Sequence, residues 1–102
     1  MKEYELYVPL AYNDGSPVEP RKIDWIGERL LERFGGCTFF PQRNEGMWRM
    51  GSVTFRDEIV IFRVLTDKVR LARRFFRALK TELKEELHQE EILIVEKDAE
   101  VL

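Results

Sequence analysis

Two helical stripes organise this chain. Ile23, Ile26, Leu30 and Phe34 recur at spacings of three and four, with Leu31 at the stripe's edge. Val69, Ala72, Phe76, Leu79, Leu83 and Leu87 repeat the pattern later, with Phe75 beside it. Each stripe covers one side of a helix and has to be buried against another element. The segments around them are β-like. Tyr4, Leu6, Val8, Leu10 and Tyr12 alternate with Glu5, Tyr7, Pro9 and Ala11, the period of a strand. Cys37 to Phe40 is a short β-prone run, and Met47 to Leu65 is β-rich. Ile59-Val60-Ile61-Phe62 is apolar on both faces, as expected of a central strand. Ile92 to Val95 closes the pattern as a short buried strand.

The punctuation agrees with this division. Asn13-Asp14-Gly15-Ser16-Pro17 is dense turn chemistry. Pro20 suits the first turn of a helix, where its missing N–H costs nothing, and Gly35-Gly36 supplies a helix end. Thr66-Asp67 offers a cap for the second helix. Pro41 to Gly46 reads as an irregular stretch, and the break between the middle strands falls at Gly51 or at Arg56-Asp57-Glu58. The order is therefore β-α-β-β-α-β in a single domain spanning residues 1–102. With right-handed crossovers this predicts a ferredoxin-like α+β fold, a four-stranded antiparallel sheet with two helices on one face and the first and third strands central.

That topology leaves the other sheet face without a helix. Tyr7, Ala11 and one apolar row of Ile59–Leu65 should point there, and a contiguous apolar patch usually marks an interface. A homodimer pairing two such faces is expected. Trp25 joins Tyr7 and Ala11 as a candidate interface residue, because it projects nearly opposite the first stripe, among Arg21, Glu28, Arg29 and Glu32. Its alternative is an exposed ring stacked on Arg21 or Arg29, or one covered by the N-terminal loop.

Charge and composition narrow the function classes. Of 102 residues, 44% are hydrophobic and 35% charged, a globular balance rather than a disordered one. The formal charge of −2 gives no global attraction to nucleic acid or to anionic membranes. One cysteine, Cys37, fits a reducing compartment and reads as a small core residue. No signal-peptide core and no membrane-length apolar run is present, so a cytoplasmic protein is expected.

Three side-chain groups could carry chemistry. Trp48, Arg49, Arg56 and Asp57 would converge if residues 47–58 form a hairpin, and an arginine fork beside an indole would clamp a small anionic ligand. The bland alternative is an internal Arg–Asp ion pair. Arg70, Arg73, Arg74 and Arg77 form one stripe on the second helix, with like charges at i,i+4 and at the positive end of the dipole, while Glu82, Glu85, Glu86 and Glu90 sit at the negative end. Compensation is expected from the first helix's carboxylates or from an external anion. His88 is the lone histidine and has no partner at a recognisable spacing. No catalytic motif, cofactor fingerprint or metal-ligand set occurs.

Tyr4-Glu5-Leu6-Tyr7-Val8-Pro9-Leu10, Trp48-Arg49 and the run Phe55-Arg56-Asp57-Glu58-Ile59-Val60-Ile61 resemble a family of small bacterial proteins of similar length. The resemblance implies a bacterial cytoplasmic protein and brings no activity with it. The expectation is a non-catalytic homodimeric regulatory or interaction module that takes a small anionic ligand and needs no cofactor. The alternatives are an enzyme of the dimeric α+β-barrel kind using Tyr7, Tyr12, Asp57 or His88 in an enclosed cavity, and, less favoured, nucleic-acid binding along the arginine stripe.

Overall fold

The computed structural model describes every residue from Met1 to Leu102. It has the predicted order: β1 (Lys2–Pro9), α1 (Pro20–Phe34), β2 (Thr38–Met50), β3 (Val53–Thr66), α2 (Val69–Glu86) and β4 (Ile94–Asp98). The four strands form one antiparallel sheet in the order β2-β3-β1-β4, so the first and third strands are central. This is the ferredoxin-like α+β arrangement.

The alternation of β1 decides where the core lies. Tyr4, Leu6 and Val8 are buried, as are Val60, Phe62 and Val64 of β3, which stand directly opposite Val8, Leu6 and Tyr4. This row meets Ile26 and Leu30 of α1 and Ala72, Phe76, Leu79 and Leu83 of α2. Every buried residue is hydrophobic. Tyr4, Phe34, Phe75 and Phe76 make an aromatic stack where the two helices and the sheet meet, with ring centroids 4.8–5.5 Å apart.

Local chemistry sets the ends. Pro20 opens α1, and Gly35 closes it in the left-handed region at φ +77°, its N–H donating to the Leu31 carbonyl. The expected cap of α2 is displaced: Lys68 is the flanking residue, and Thr66 instead accepts its N–H at 3.1 Å. β1 also ends earlier than its alternation predicts. Tyr12 N–H donates to the Ser16 carbonyl and Val18 N–H to the Leu10 carbonyl, which folds the Asn13–Ser16 turn back on itself and ends the strand at Pro9.

The largest departure from the sequence reading lies in residues 41–58. Pro41 to Gly46 is not a loop. It belongs to β2, with two extra residues accommodated in a bulge between Phe40 and Asn44. The break falls at Gly51-Ser52, where Gly51 has φ +62°, a glycine-first two-residue hairpin turn. β1 pairs with β3 only from Ile59 onward. The β2–β3 hairpin therefore continues past the sheet as a two-stranded arm, in a molecule 42 × 29 × 24 Å in extent. No helix is long and apolar enough to cross a membrane.

Candidate functional site

β3 runs without a shift from the arm into the sheet, so its odd-numbered residues share one face throughout. They are Val53, Phe55, Asp57, Ile59, Ile61, Arg63 and Leu65, on the side that no helix covers. Their direct partners extend the row on both sides: Met50, Trp48 and Phe40 on β2, and Tyr7 and Pro9 on β1. Val95 of β4 lies across from Glu5 on the same face. The result is one continuous surface, apolar at the arm and at the centre of the sheet.

The arm is amphipathic. Trp48 and Phe55 stack at 4.5 Å, and the Trp48 indole N–H donates to Asp57 at 3.0 Å. Met50 and Val53 continue this face to the tip, and all four apolar side chains stay 39–59% exposed. The opposite face of the arm carries Glu45, Met47, Arg49, Thr54, Arg56 and Glu58. Arg56 pairs with Glu45 at 3.1 Å, Arg43 with Glu58 at 3.2 Å, and Arg49 reaches Thr54 at 3.4 Å.

The four residues expected to clamp an anion are thus divided. Trp48 and Asp57 come together on the uncovered face, while Arg49 and Arg56 lie on the other. The expected arginine–aspartate pairing does not form, because strand alternation sends neighbours 56 and 57 to opposite sides. Tyr7 lies on the uncovered face as predicted. Ala11 does not extend that row. It lies beyond the end of β1, bridged to Pro17, beside a shallow cleft with Leu10, Phe39 and Val60.

Trp25 is half-buried rather than opposite the core. α2 packs against that flank of α1, and the Arg29 guanidinium sits 4.9 Å over the indole and 5.5 Å over Phe75 while bonding to Glu82 at 2.9 Å. Of the arginine stripe, Arg73 is held bidentately by Glu96 at 2.8 and 2.9 Å. That carboxylate comes from β4, not from α1 as expected. Arg70, Arg74 and Arg77 are exposed. Tyr12 and His88 lie side by side at 5.7 Å, with Tyr12 O–H donating to Glu19 at 2.5 Å and Lys22 donating to Tyr12 at 2.8 Å. Tyr7 and Asp57 are on the uncovered face, so the four groups of the enzyme reading do not share one pocket.

Sequence reasoning missed an ionic cluster on the uncovered face. Lys97 bridges Glu3 at 3.0 Å and Glu5 at 2.8 Å, Tyr7 O–H donates to Glu5 at 2.7 Å, and Arg63 approaches Glu3 at 3.8 Å while lying 5.2 Å over Phe40. The Lys97 and Tyr7 hydrogen bonds hold the Glu5 carboxyl down to about 2. The bond to that carboxylate raises the Tyr7 hydroxyl, and Glu5 and then Glu3 raise the Lys97 ammonium. Two anions and two cations satisfy one another. The available sequence signal was the i, i+2 spacing of Glu3, Glu5 and Tyr7, but their partners on β3 and β4 become visible only with the register.

No family model matches the chain, and no curated protein matches it. Two solved structures share its fold. A phage SAM lyase in complex with S-methyl-5'-thioadenosine superposes with a TM-score of 0.68 at 16% identity, over 95% of this chain and 80% of that one. A point variant of CutA1 from Pyrococcus horikoshii OT3 superposes with a TM-score of 0.63 at 13% identity, over 100% of this chain and 86% of the other. At these identities the likeness is one of fold.

Proposed function

We propose that the chain is a self-associating, non-catalytic interaction module, a homodimer formed by apposing two uncovered sheet faces and their arms. The observation that carries this reading is the continuous surface of Met50, Val53, Trp48, Phe55, Ile59, Ile61, Phe40 and Tyr7, with exposed large apolar residues concentrated along the arm. Its apolar parts form two patches, at the arm and at the centre of the sheet, with Asp57 between them, and exposed apolar patches are what association removes from water. The ionic cluster beside it does not oppose the contact. Its two carboxylates and two cations balance in charge, and only the Arg63 guanidinium, 3.8 Å from Glu3, is left to find hydrogen-bond partners across the contact.

The same two-fold contact would place a Trp48–Phe55 pair on each side, the side-chain type that dominates binding energy at interfaces. Arg49, whose guanidinium meets only a threonine hydroxyl, is the arm cation left for a small anionic ligand. A bacterial, cytoplasmic setting suits the free Cys37 thiol and the family resemblance. Native mass spectrometry of the purified chain, compared with the denatured sample, tests both parts. Twice the monomer mass supports the dimer, and a reproducible extra mass lost on denaturation supports the ligand. A bare monomer at high micromolar concentration would sink the reading.

A further inference from the structure

The outer side of α2 carries cations that nothing in the chain answers. Arg70, Arg74, Arg77, Thr81 and Lys84 follow one another at spacings of four and three, which puts them in one line along the helix, and all five are exposed. The ion pairs that α2 makes use other members: Arg73 with Glu96, Lys80 with Glu91, Glu82 with Arg29 and Glu86 with Lys22. Glu91 also lies near enough to Lys84 to feel its charge, but it is already bonded to Lys80 at 2.9 Å. From Arg70 to Lys84 the helix therefore holds four free cations and no free acid. The nearest unpaired carboxylates in the sequence are Asp67 before this stretch and Glu85 after it. Arg70 and Arg74 repel each other at i,i+4, and Arg70 stands at the positive end of the helix dipole with no acidic residue in the first turn. An anion laid along the line would relieve both conflicts.

We propose that this line of α2 binds a nucleic-acid strand through its phosphates. The chain as a whole has a formal charge of −2, so the attraction comes from the local line and not from net charge. At 1.5 Å per residue the line is about 21 Å long, the reach of several successive phosphates on one strand. Three of its four cations are arginines, whose forks take a phosphate bidentately.

The surroundings of the line separate this occupant from other anions. No large apolar side chain of α2 is exposed, so an acidic protein partner would find no anchor there to bury. Phosphate contacts need none. α1 packs alongside and exposes Asp24, Glu28 and Glu32, while the ion pairs of α1 are made by Lys22 and Arg29. Those three carboxylates would repel a flat anionic membrane laid across both helices. A narrow chain of phosphates can follow α2 alone. The line lies on the opposite side of the molecule from the uncovered sheet face and does not depend on it.

The test is fluorescence anisotropy of a labelled oligothymidine titrated with the full chain at several salt concentrations. Binding should be measurable at low ionic strength. The logarithm of the association constant should fall against the logarithm of salt with a slope of about −3, from roughly 0.7 for each of four phosphates. Arg70→Gln, Arg74→Gln and Arg77→Gln should each flatten that slope by about 0.7, and the three together should abolish binding. Arg21→Gln, an equal loss of charge on α1, should leave the slope unchanged. Circular dichroism checks that every variant is folded. No binding at low salt overturns the proposal, as does a slope that the α2 variants leave unchanged or that Arg21→Gln flattens as much. Displacement of the oligothymidine by polyglutamate, or by phosphatidylserine vesicles, at equal charge concentration would assign the line to an acidic protein or to a membrane, and overturns it too.

Discussion

The two faces of the sheet are built from the same strands and end in different states. On the helix side Tyr4, Leu6, Val8, Val60, Phe62 and Val64 are all at least 97% buried. On the other side Tyr7, Ile59, Ile61, Phe40 and Val95 are only partly covered, although their side chains are as apolar. A strand of period two puts half its residues on each side, and a β-α-β-β-α-β chain brings both helices to one of them. The first row is completed within the chain and the second is not. Hydrophobicity alone does not separate a covered row from an uncovered one; the connectivity does.

The largest effect should come from the covered row. Leu6→Ala removes a side chain that is 1% exposed and should cost about 3 kcal/mol in urea unfolding, from lost transfer energy and the cavity left behind. Its association constant should change little where the protein remains folded. A loss under about 1 kcal/mol would mean that the row is loosely packed and the two faces are less different than described.

On the uncovered side the order of effects reverses. Trp48→Ala, in the half-exposed pair with Phe55, should weaken association by roughly ten- to a hundredfold, the range of an aromatic interface anchor. The unfolding of the dilute monomer should barely respond. Isothermal dilution calorimetry reads the first and urea titration the second. An unchanged heat of dilution would take the arm out of the interface.

Acid should affect both sides of the sheet. Glu5 on the uncovered face and Glu96 on the helix side are both held down to about 2, by Lys97 and then Tyr7 in one case and by Arg73 and then Tyr4 in the other. Because these carboxyls are lowered in the fold, the unfolded chain binds more protons across this range, so stability rises with pH. Their contribution is complete above the ordinary carboxyl value of 4.5 and is lost as pH falls toward 2. Glu5→Gln and Glu96→Gln should each flatten the acid limb of a stability–pH curve. A limb unchanged in both would show that neither network persists in solution.

The smallest effect belongs to the polar side of the arm. Arg56→Ala breaks an ion pair whose side chains are 68% and 55% exposed, and should move stability by no more than about 0.5 kcal/mol and association by less than Trp48→Ala. Dilution calorimetry on both variants compares the two faces of one hairpin. A larger effect for Arg56 would reverse the assignment of its interacting side.

Much of this contrast was legible in the residues. The two stripes and the alternation of Tyr4 to Val8 gave the element order, and the order gave the uncovered face with Tyr7 on it. Residues 41–58 were not legible in the same way. Pro41 and Gly46 carry loop chemistry, yet an edge strand tolerates proline and a bulge absorbs the extra residues. Once that segment is a strand, alternation separates Arg56 from Asp57 and joins Trp48 to Phe55, a pairing that follows from register rather than from local pattern. Trp25 was misplaced for a related reason. Helical projection gives an angle around one helix, but the position of α2 decides which flank is covered. The Glu3–Glu5–Lys97–Arg63 cluster draws on three strands, and only their register brings it together.

The central claim is that the uncovered row is an interface between copies of the chain. Sedimentation equilibrium of the wild type beside Ile61→Lys, from low to high micromolar concentration, tests it most directly. Ile61 lies mid-row, between Phe40 and Tyr7, and a lysine there would place an unpaired charge at the centre of the apposed faces. The account predicts a wild type whose mass rises with concentration to at least a dimer, and a folded variant whose dissociation constant is larger by at least roughly tenfold. A wild type that stays monomeric throughout, or a variant that associates as tightly as the wild type, would contradict it.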